Sequence, residues 1–194
     1  MRLILASASP RRRELLSGIC SQFEVVPSEI DETLEDGPTP EGVAELALRK
    51  ARAVAARAGE AVVLAADTLV VLDGTALGKP ADPEEARAML RRLRGREHEV
   101  ITGVAVVDSR TGREASLAVV SRVRMAAYSD ATLDAYVASG APLDKAGAYA
   151  IKDLGGALVE RLAGSYANVV GLPVEETRRL LADFGVRVSS PDAP

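Results

Sequence analysis

The sequence contains one cysteine, one histidine and no tryptophan among 194 residues. A lone thiol, Cys20, cannot close an intrachain disulfide or build a thiolate metal cluster. With His98 the single histidine, a zinc site of imidazole and thiolate ligands is nearly excluded. A Ser-His-Asp triad would have to use His98, which lies in the polar stretch Arg94-Gly95-Arg96-Glu97-His98-Glu99. Any catalytic metal is therefore expected to be a hard cation held by carboxylates and phosphate oxygens. Four tyrosines and two phenylalanines leave little for a base-stacking platform, and the net charge of −4 argues against a nucleic-acid partner. No apolar run is long enough to span a bilayer, so no membrane partner is expected. Met1-Arg2-Leu3-Ile4-Leu5-Ala6 has the charge and apolar stretch of a miniature signal peptide. It is too short for one and reads as a strand, which makes the expected location cytoplasmic.

What is present is an ordinary globular composition, 47% hydrophobic and 27% charged. Helix and strand patterns alternate, which predicts a mixed α/β fold, as one domain or as two lobes around a cleft. Strands are expected over Leu3–Ala6, Phe23–Pro27, Ala61–Leu72, His98–Val107, Ala115–Ala126, Val159–Leu162 and Tyr166–Val170. Helices are expected over Pro10–Ser17, Glu41–Arg57, Pro83–Leu93, Asp130–Ala138 and Pro173–Phe184. Asp73-Gly74 reads as a hairpin turn, and the two long strands at 98–107 and 115–126 as a pair joined by the turn 108–112. Residues 1–188 are read as one α/β domain and 189–194 as a loose tail.

Chemistry is concentrated at a few places. The first strand empties into Ser7-Ala8-Ser9-Pro10-Arg11-Arg12-Arg13, where Ser9 suits an N-cap and Pro10 the first helical position. Free N–H groups, the positive dipole end and three arginines make that point a grip for phosphate. Asp67 is the one charge inside an apolar run. A buried carboxylate must be paired, bind a cation or shift its pKa. It is either a structural aspartate bonded to a neighbouring turn, or a metal ligand or general base, with the Thr68 hydroxyl beside it. A single lysine is ordinarily a solvated surface residue, which applies to Lys50. Lys79 is held in a defined turn by Gly78 and Pro80. Ile30-Asp31-Glu32 offers a second carboxylate for magnesium, or is a solvated loop. Asp144–Tyr149 and Gly164–Pro173 each suit either a plain turn or a substrate contact. No Walker A loop occurs.

Taken in order, Ser7-Ala8-Ser9-Pro10-Arg11-Arg12, Ile30-Asp31-Glu32, Lys50-Ala51, Ala66-Asp67-Thr68, Gly78-Lys79-Pro80, His98–Gly103, Asp144–Tyr149 and Gly164–Pro173 resemble the Maf family of nucleoside triphosphate pyrophosphatases. The resemblance implies a Maf/ITPase-like fold, a mixed twisted sheet flanked by helices with two lobes around a deep nucleotide-binding cleft. It implies hydrolysis of a nucleoside triphosphate to the monophosphate and pyrophosphate, with Mg2+ or Mn2+, commonly by a homodimer. Asp67 would then activate water and, with Glu32, hold the metal. Ser7, Arg12, Lys50 and Lys79 would handle phosphates, and Arg11, Thr68 and Lys152 nucleotide choice. Arg11 and Asp67-Thr68 resemble the branch acting on dTTP and UTP, with CTP or modified pyrimidine nucleotides as further candidates. Lys152 departs from that branch, which is similar to glutamine there; glutamine donates and accepts, whereas lysine only donates. A nucleotide-binding regulator of cell division without turnover is the alternative reading.

Overall fold

The computed structural model describes residues 1–34 and 36–189. Glu35, three residues past Glu32, and residues 190–194 of the expected tail lie outside them. Ser189, read as the start of that tail, donates its backbone N–H to Ile19 O at 2.8 Å and is fastened there. The elements are β1 (Leu3–Leu5), α1 (Pro10–Ser17), β2 (Glu24–Val25), α2 (Pro40–Ala55), β3 (Val62–Leu72), β4 (Thr75–Leu77), α3 (Pro83–Leu93), β5 (Glu97–Asp108), β6 (Glu114–Met125), α4 (Asp130–Ala138), β7 (Val159–Ala163), α5 (Tyr166–Val170) and α6 (Val174–Asp183). Short 3-10 turns connect α4 to β7.

The strands form one sheet in the order β2-β1-β3-β5-β6-β7, with β4 folded back on β3. β1 is parallel to both of its neighbours, and the other pairs are antiparallel. The β3–β4 turn has two residues, Asp73 and Gly74, with φ of 51° and 74°. Positive φ at both positions is what a type I′ hairpin demands. Helix starts follow their caps. The Asp82 carboxylate accepts from Glu84 and Glu85 N–H at 2.9 and 2.8 Å ahead of Pro83, fixing the start of α3.

One expected strand is a helix. Tyr166–Val170 forms α5 because Ser165 Oγ accepts from Asn168 N at 3.2 Å, a cap that turns the chain helical. Gly171, at φ 126°, ends it after five residues.

Apolar side chains gather at two ends of the sheet. At one end α3 and α4 pack on Val70, Leu72, Val100, Val123 and Met125. At the other, α1, α6 and α2 cover β1, Val62–Ala66 and Val104–Val107. The long strands β3 and β5 pair from Val62↔Asp108 to Val71↔Glu99 and run through both regions. This agrees with the expected two-lobed α/β arrangement, and the middle of β3 lies where one region gives way to the other. Among the described residues no helix is long and apolar enough to cross a membrane.

Candidate active site

The cleft follows from how β3 is flanked. On one side it pairs with β5 throughout. On the other, β1 covers only Val62–Leu64 and β4 only Val70–Leu72. After Ala6 donates to Leu64 O at 2.7 Å the chain turns away into Ser7 and α1. Asp67 and Thr68 sit in the interval left between β1 and β4, at the floor of a cavity of about 670 Å³. Every residue expected at the site lines that one cavity: Ser7, Arg11, Arg12, Glu32, Lys50, Asp67, Thr68, Lys79 and Lys152.

Lys50 is not a surface lysine. On α2 the buried stripe runs Val43, Leu46, Ala47, Lys50, Ala51, Val54, so Lys50 occupies an apolar-face position with helical spacing. That placement was the sequence signal for its role. Its Nζ donates to Asp67 Oδ1 at 2.6 Å and lies 2.7 Å from Glu32 Oε1. The ammonium thus compensates the buried Asp67 carboxylate, whose relative exposure is 8%. Among the described residues Asp67 Oδ2 has no hydrogen-bond partner, so one oxygen is fixed and the other is left for a ligand or water.

Glu32 reaches this point because its loop is pinned. Asp31 Oδ1 accepts from the Thr33 N–H and hydroxyl at 2.9 and 2.6 Å, closing a turn. Arg49, one residue before Lys50, donates to Asp31 O and Thr33 O at 2.9 and 2.8 Å. The hydrogen bond from Lys50, with the charges of Lys50, Lys79 and Arg12, holds the Glu32 carboxyl below its ordinary pKa. Glu32 is therefore anionic through the neutral range.

Arg12 is anchored on three sides. Its guanidinium donates from Nε to Gly171 O at 2.9 Å, from Nη1 to Ser7 Oγ at 3.2 Å and from Nη2 to Thr68 Oγ1 at 3.0 Å. Burial lowers its pKa, and the charge of Asp67 opposes that shift. Thr68 Oγ1 is also 3.0 Å from Thr102 Oγ1, and Thr102 donates to Asn168 O at 3.0 Å. Thr102 and the side chain of Asn168 belong to the site's support and were missed as such in the sequence, where a threonine in a strand is unremarkable.

Lys79 follows β4, and the segment 144–152 forms the facing wall; the two are tied by Gly147 N–H donating to Gly78 O at 3.0 Å. Lys145 is occupied by Asp144 at 2.8 Å and Asp153 at 3.8 Å. Arg11, Lys79 and Lys152 have no ion-pair partner among the described residues, so the cavity carries uncompensated positive charge suited to a polyanion. His98 is buried, pushed down to about 4 by desolvation, and its Nε2 lies 2.7 Å from Tyr149 Oη. It is neutral at physiological pH and supports a cavity wall.

No trio of His, Cys, Asp or Glu converges on a metal position among the described residues. The carboxylates of Glu32 and Asp67 meet at Lys50 Nζ, 2.7 and 2.6 Å away, so the ammonium fills the point between their bound oxygens and a metal would be held by the second oxygen of each. Magnesium takes one or two carboxylates, keeps waters and completes its shell with substrate phosphates, so this donor set fits it.

The Staphylococcus aureus Ham1 protein shares the fold, with a TM-score of 0.55 at 15% identity over 95% of this chain and 100% of that one. A dTTP/UTP pyrophosphatase of Moorella thermoacetica is 50% identical over 188 residues, 96% of this chain and 97% of its own. One from Anaeromyxobacter dehalogenans is 52% identical over 187 residues, 95% and 94% of the two chains. The family model described as Maf-like protein matches residues 2–184. That span holds every element of the sheet and every side chain of the cleft, and the chain belongs to the Maf family.

Proposed function

We propose that this chain hydrolyses dTTP and UTP to the nucleoside monophosphate and pyrophosphate. The observation that carries the reading is Asp67 at the floor of a cationic cleft, one carboxylate oxygen fixed by Lys50 at 2.6 Å. The two relatives compared above, both dTTP/UTP pyrophosphatases, support the same substrates.

In this reading Asp67 accepts a proton from a water that attacks the α-phosphorus. The new O–P bond forms as the bond from that phosphorus to the bridging oxygen breaks, and pyrophosphate leaves with the charge. No covalent nucleophile is needed; positioning and charge neutralisation carry the reaction. Arg12, held rigid by Ser7, Thr68 and Gly171, needs no reorganisation to meet a phosphate. Lys79, with no ion-pair partner among the described residues, supplies a second positive charge to the same cavity. A divalent cation, Mg2+ or Mn2+, would be held by Glu32 and Asp67 and would neutralise phosphate oxygens. Arg11, Thr68 and Lys152 are assigned to nucleotide choice. Nucleoside triphosphates are cytoplasmic metabolites, which supports the cytoplasmic location.

Purified protein with Mg2+ and UTP or dTTP is expected to yield UMP or dTMP and pyrophosphate by ion-exchange chromatography. Release of a diphosphate and orthophosphate, or tight binding with no product, would overturn the assignment; the second result fits a nucleotide-binding regulator.

We also propose a homodimer. β7 covers β6 only from Arg122 to Met125, so Glu114–Ser121 has no strand on that side among the described residues. Between Glu114 and Arg122 the strand carries no charge, and Val120 is 40% exposed. An open uncharged edge invites a second strand. Antiparallel pairing about Ala118 sets Glu114 of one copy opposite Arg122 of the other. Light scattering is expected to give a dimer mass for the wild type and a monomer mass for Val120→Lys. A monomeric wild type, or a dimer indifferent to that lysine, rejects this edge as the interface.

A further inference from the structure

The hydrogen-bond polarity of Thr68 is decided by a residue that no ligand reaches. Thr68 lines the cavity, and its hydroxyl has one hydrogen and two lone pairs. Arg12 can only donate, so its Nη2 at 3.0 Å occupies one of the lone pairs. Thr102 lies directly across from Thr68 in the β3–β5 ladder, with the hydroxyl oxygens 3.0 Å apart. Either could donate to the other on geometry alone. Asn168 O breaks the tie. It can only accept, it stands 3.0 Å from Thr102 Oγ1, and it takes the single hydrogen Thr102 has. Thr102 is fully buried at 0% exposure, so water offers it no other partner. Thr68 must then supply the hydrogen between the two threonines, and the capacity it has left is a lone pair.

The acceptor that sets this polarity is itself fixed. Asn168 Nδ2 donates to Val100 O at 3.1 Å and to Ser121 Oγ at 2.9 Å, and Asn168 N–H is capped by Ser165 Oγ. Asn168 O also accepts Gly171 N–H at 3.0 Å, so it stays satisfied if Thr102 is altered.

We infer that Thr102 is a positioning residue that locks Thr68 as a hydrogen-bond acceptor toward the cleft, matched to the ring imide N–H of a uracil or thymine base. Uracil and thymine place that N–H between two carbonyl oxygens. Cytosine has a bare ring nitrogen in its place, an acceptor that would face another acceptor. Lys152, a donor only, lines the same cavity and suits a carbonyl oxygen of the imide. The pair supplies acceptor and donor separately, where a single amide side chain would supply both. This inference rests on the pyrophosphatase reading above.

The test is the ratio of kcat/KM for UTP over CTP. Thr102→Val keeps the shape and deletes the acceptor, freeing the Thr68 hydrogen to turn toward the cleft. That ratio is expected to fall about tenfold or more, and Thr102→Ser to restore it. A folded Thr102→Val with the wild-type ratio would overturn the lock. Wild-type protein offers a second arm that needs no variant: UTP methylated on the ring imide nitrogen is expected to lose about tenfold or more in kcat/KM relative to UTP. Equal turnover of the two nucleotides rejects the inference and leaves the pyrophosphatase reading intact. Absence of turnover on UTP itself rejects that reading instead.

Discussion

Asp67→Asn is expected to lower kcat for UTP about 10²- to 10⁴-fold, the range for loss of a general base. Nucleotide binding is expected to survive in weakened form, because Arg12, Lys50 and Lys79, assigned to the phosphates, stay in place while the divalent cation loses one of its two carboxylates. Removing one partner of a buried ion pair commonly costs about 3–5 kcal/mol. Here the cost is expected to fall below that range, for two reasons. The asparagine amide oxygen still accepts from Lys50 Nζ, and Glu32 remains 2.7 Å from the same ammonium. Calorimetric binding of UTP, urea unfolding and steady-state kinetics on one preparation separate these effects. Full turnover in a folded Asp67→Asn protein would show that the water is activated elsewhere.

The sequence made Asp67 legible because a carboxylate in an apolar strand is costly unless something compensates it. The helices at 10–17, 83–93 and 130–138 were legible to the residue because their starts carry local signals, Ser9-Pro10, Asp82-Pro83 and Ser129. Glu32 was not, since a 66%-exposed side chain in an acidic loop looks solvated until Lys50 and Arg49 arrive from a helix that begins eight residues later. Lys50 was half-legible: its position on an apolar stripe is in the sequence, but what it meets depends on how α2 lies on the sheet. Tyr166–Val170 is too short for periodicity to tell strand from helix, and the Ser165 cap outweighed its valines. Thr102 acquires a role only through register. The pairing Thr68↔Thr102 is fixed by two long strands in antiparallel contact, and a slip of one residue would turn Thr102 to the opposite face.

The same register makes Gly103 the residue opposite Asp67, and replacing it is expected to damage both fold and chemistry. A β-carbon at Gly103 would stand 2.3 Å from Val43 O, 2.6 Å from Val43 C and 2.8 Å from Ala44 N. Those are backbone atoms of α2, so no side-chain rotation relieves the clash, and the helix itself must lift. Overpacking a core commonly costs about 1–3 kcal/mol, and a rigid backbone on one side puts Gly103→Ala at about 3 kcal/mol or more. Lys50 follows Val43 on the same buried face of α2, about two turns later, so lifting the helix draws its ammonium away from Asp67. A misplacement of about 1 Å can cost about 10²-fold in rate. Gly103→Ala is therefore expected to lower the urea midpoint and kcat together. Gly78→Ala is the matched control for stability, because a β-carbon there meets nothing within 4 Å. If Gly103→Ala unfolds at the wild-type urea concentration with wild-type turnover, close seating of α2 is not what holds Lys50 against Asp67.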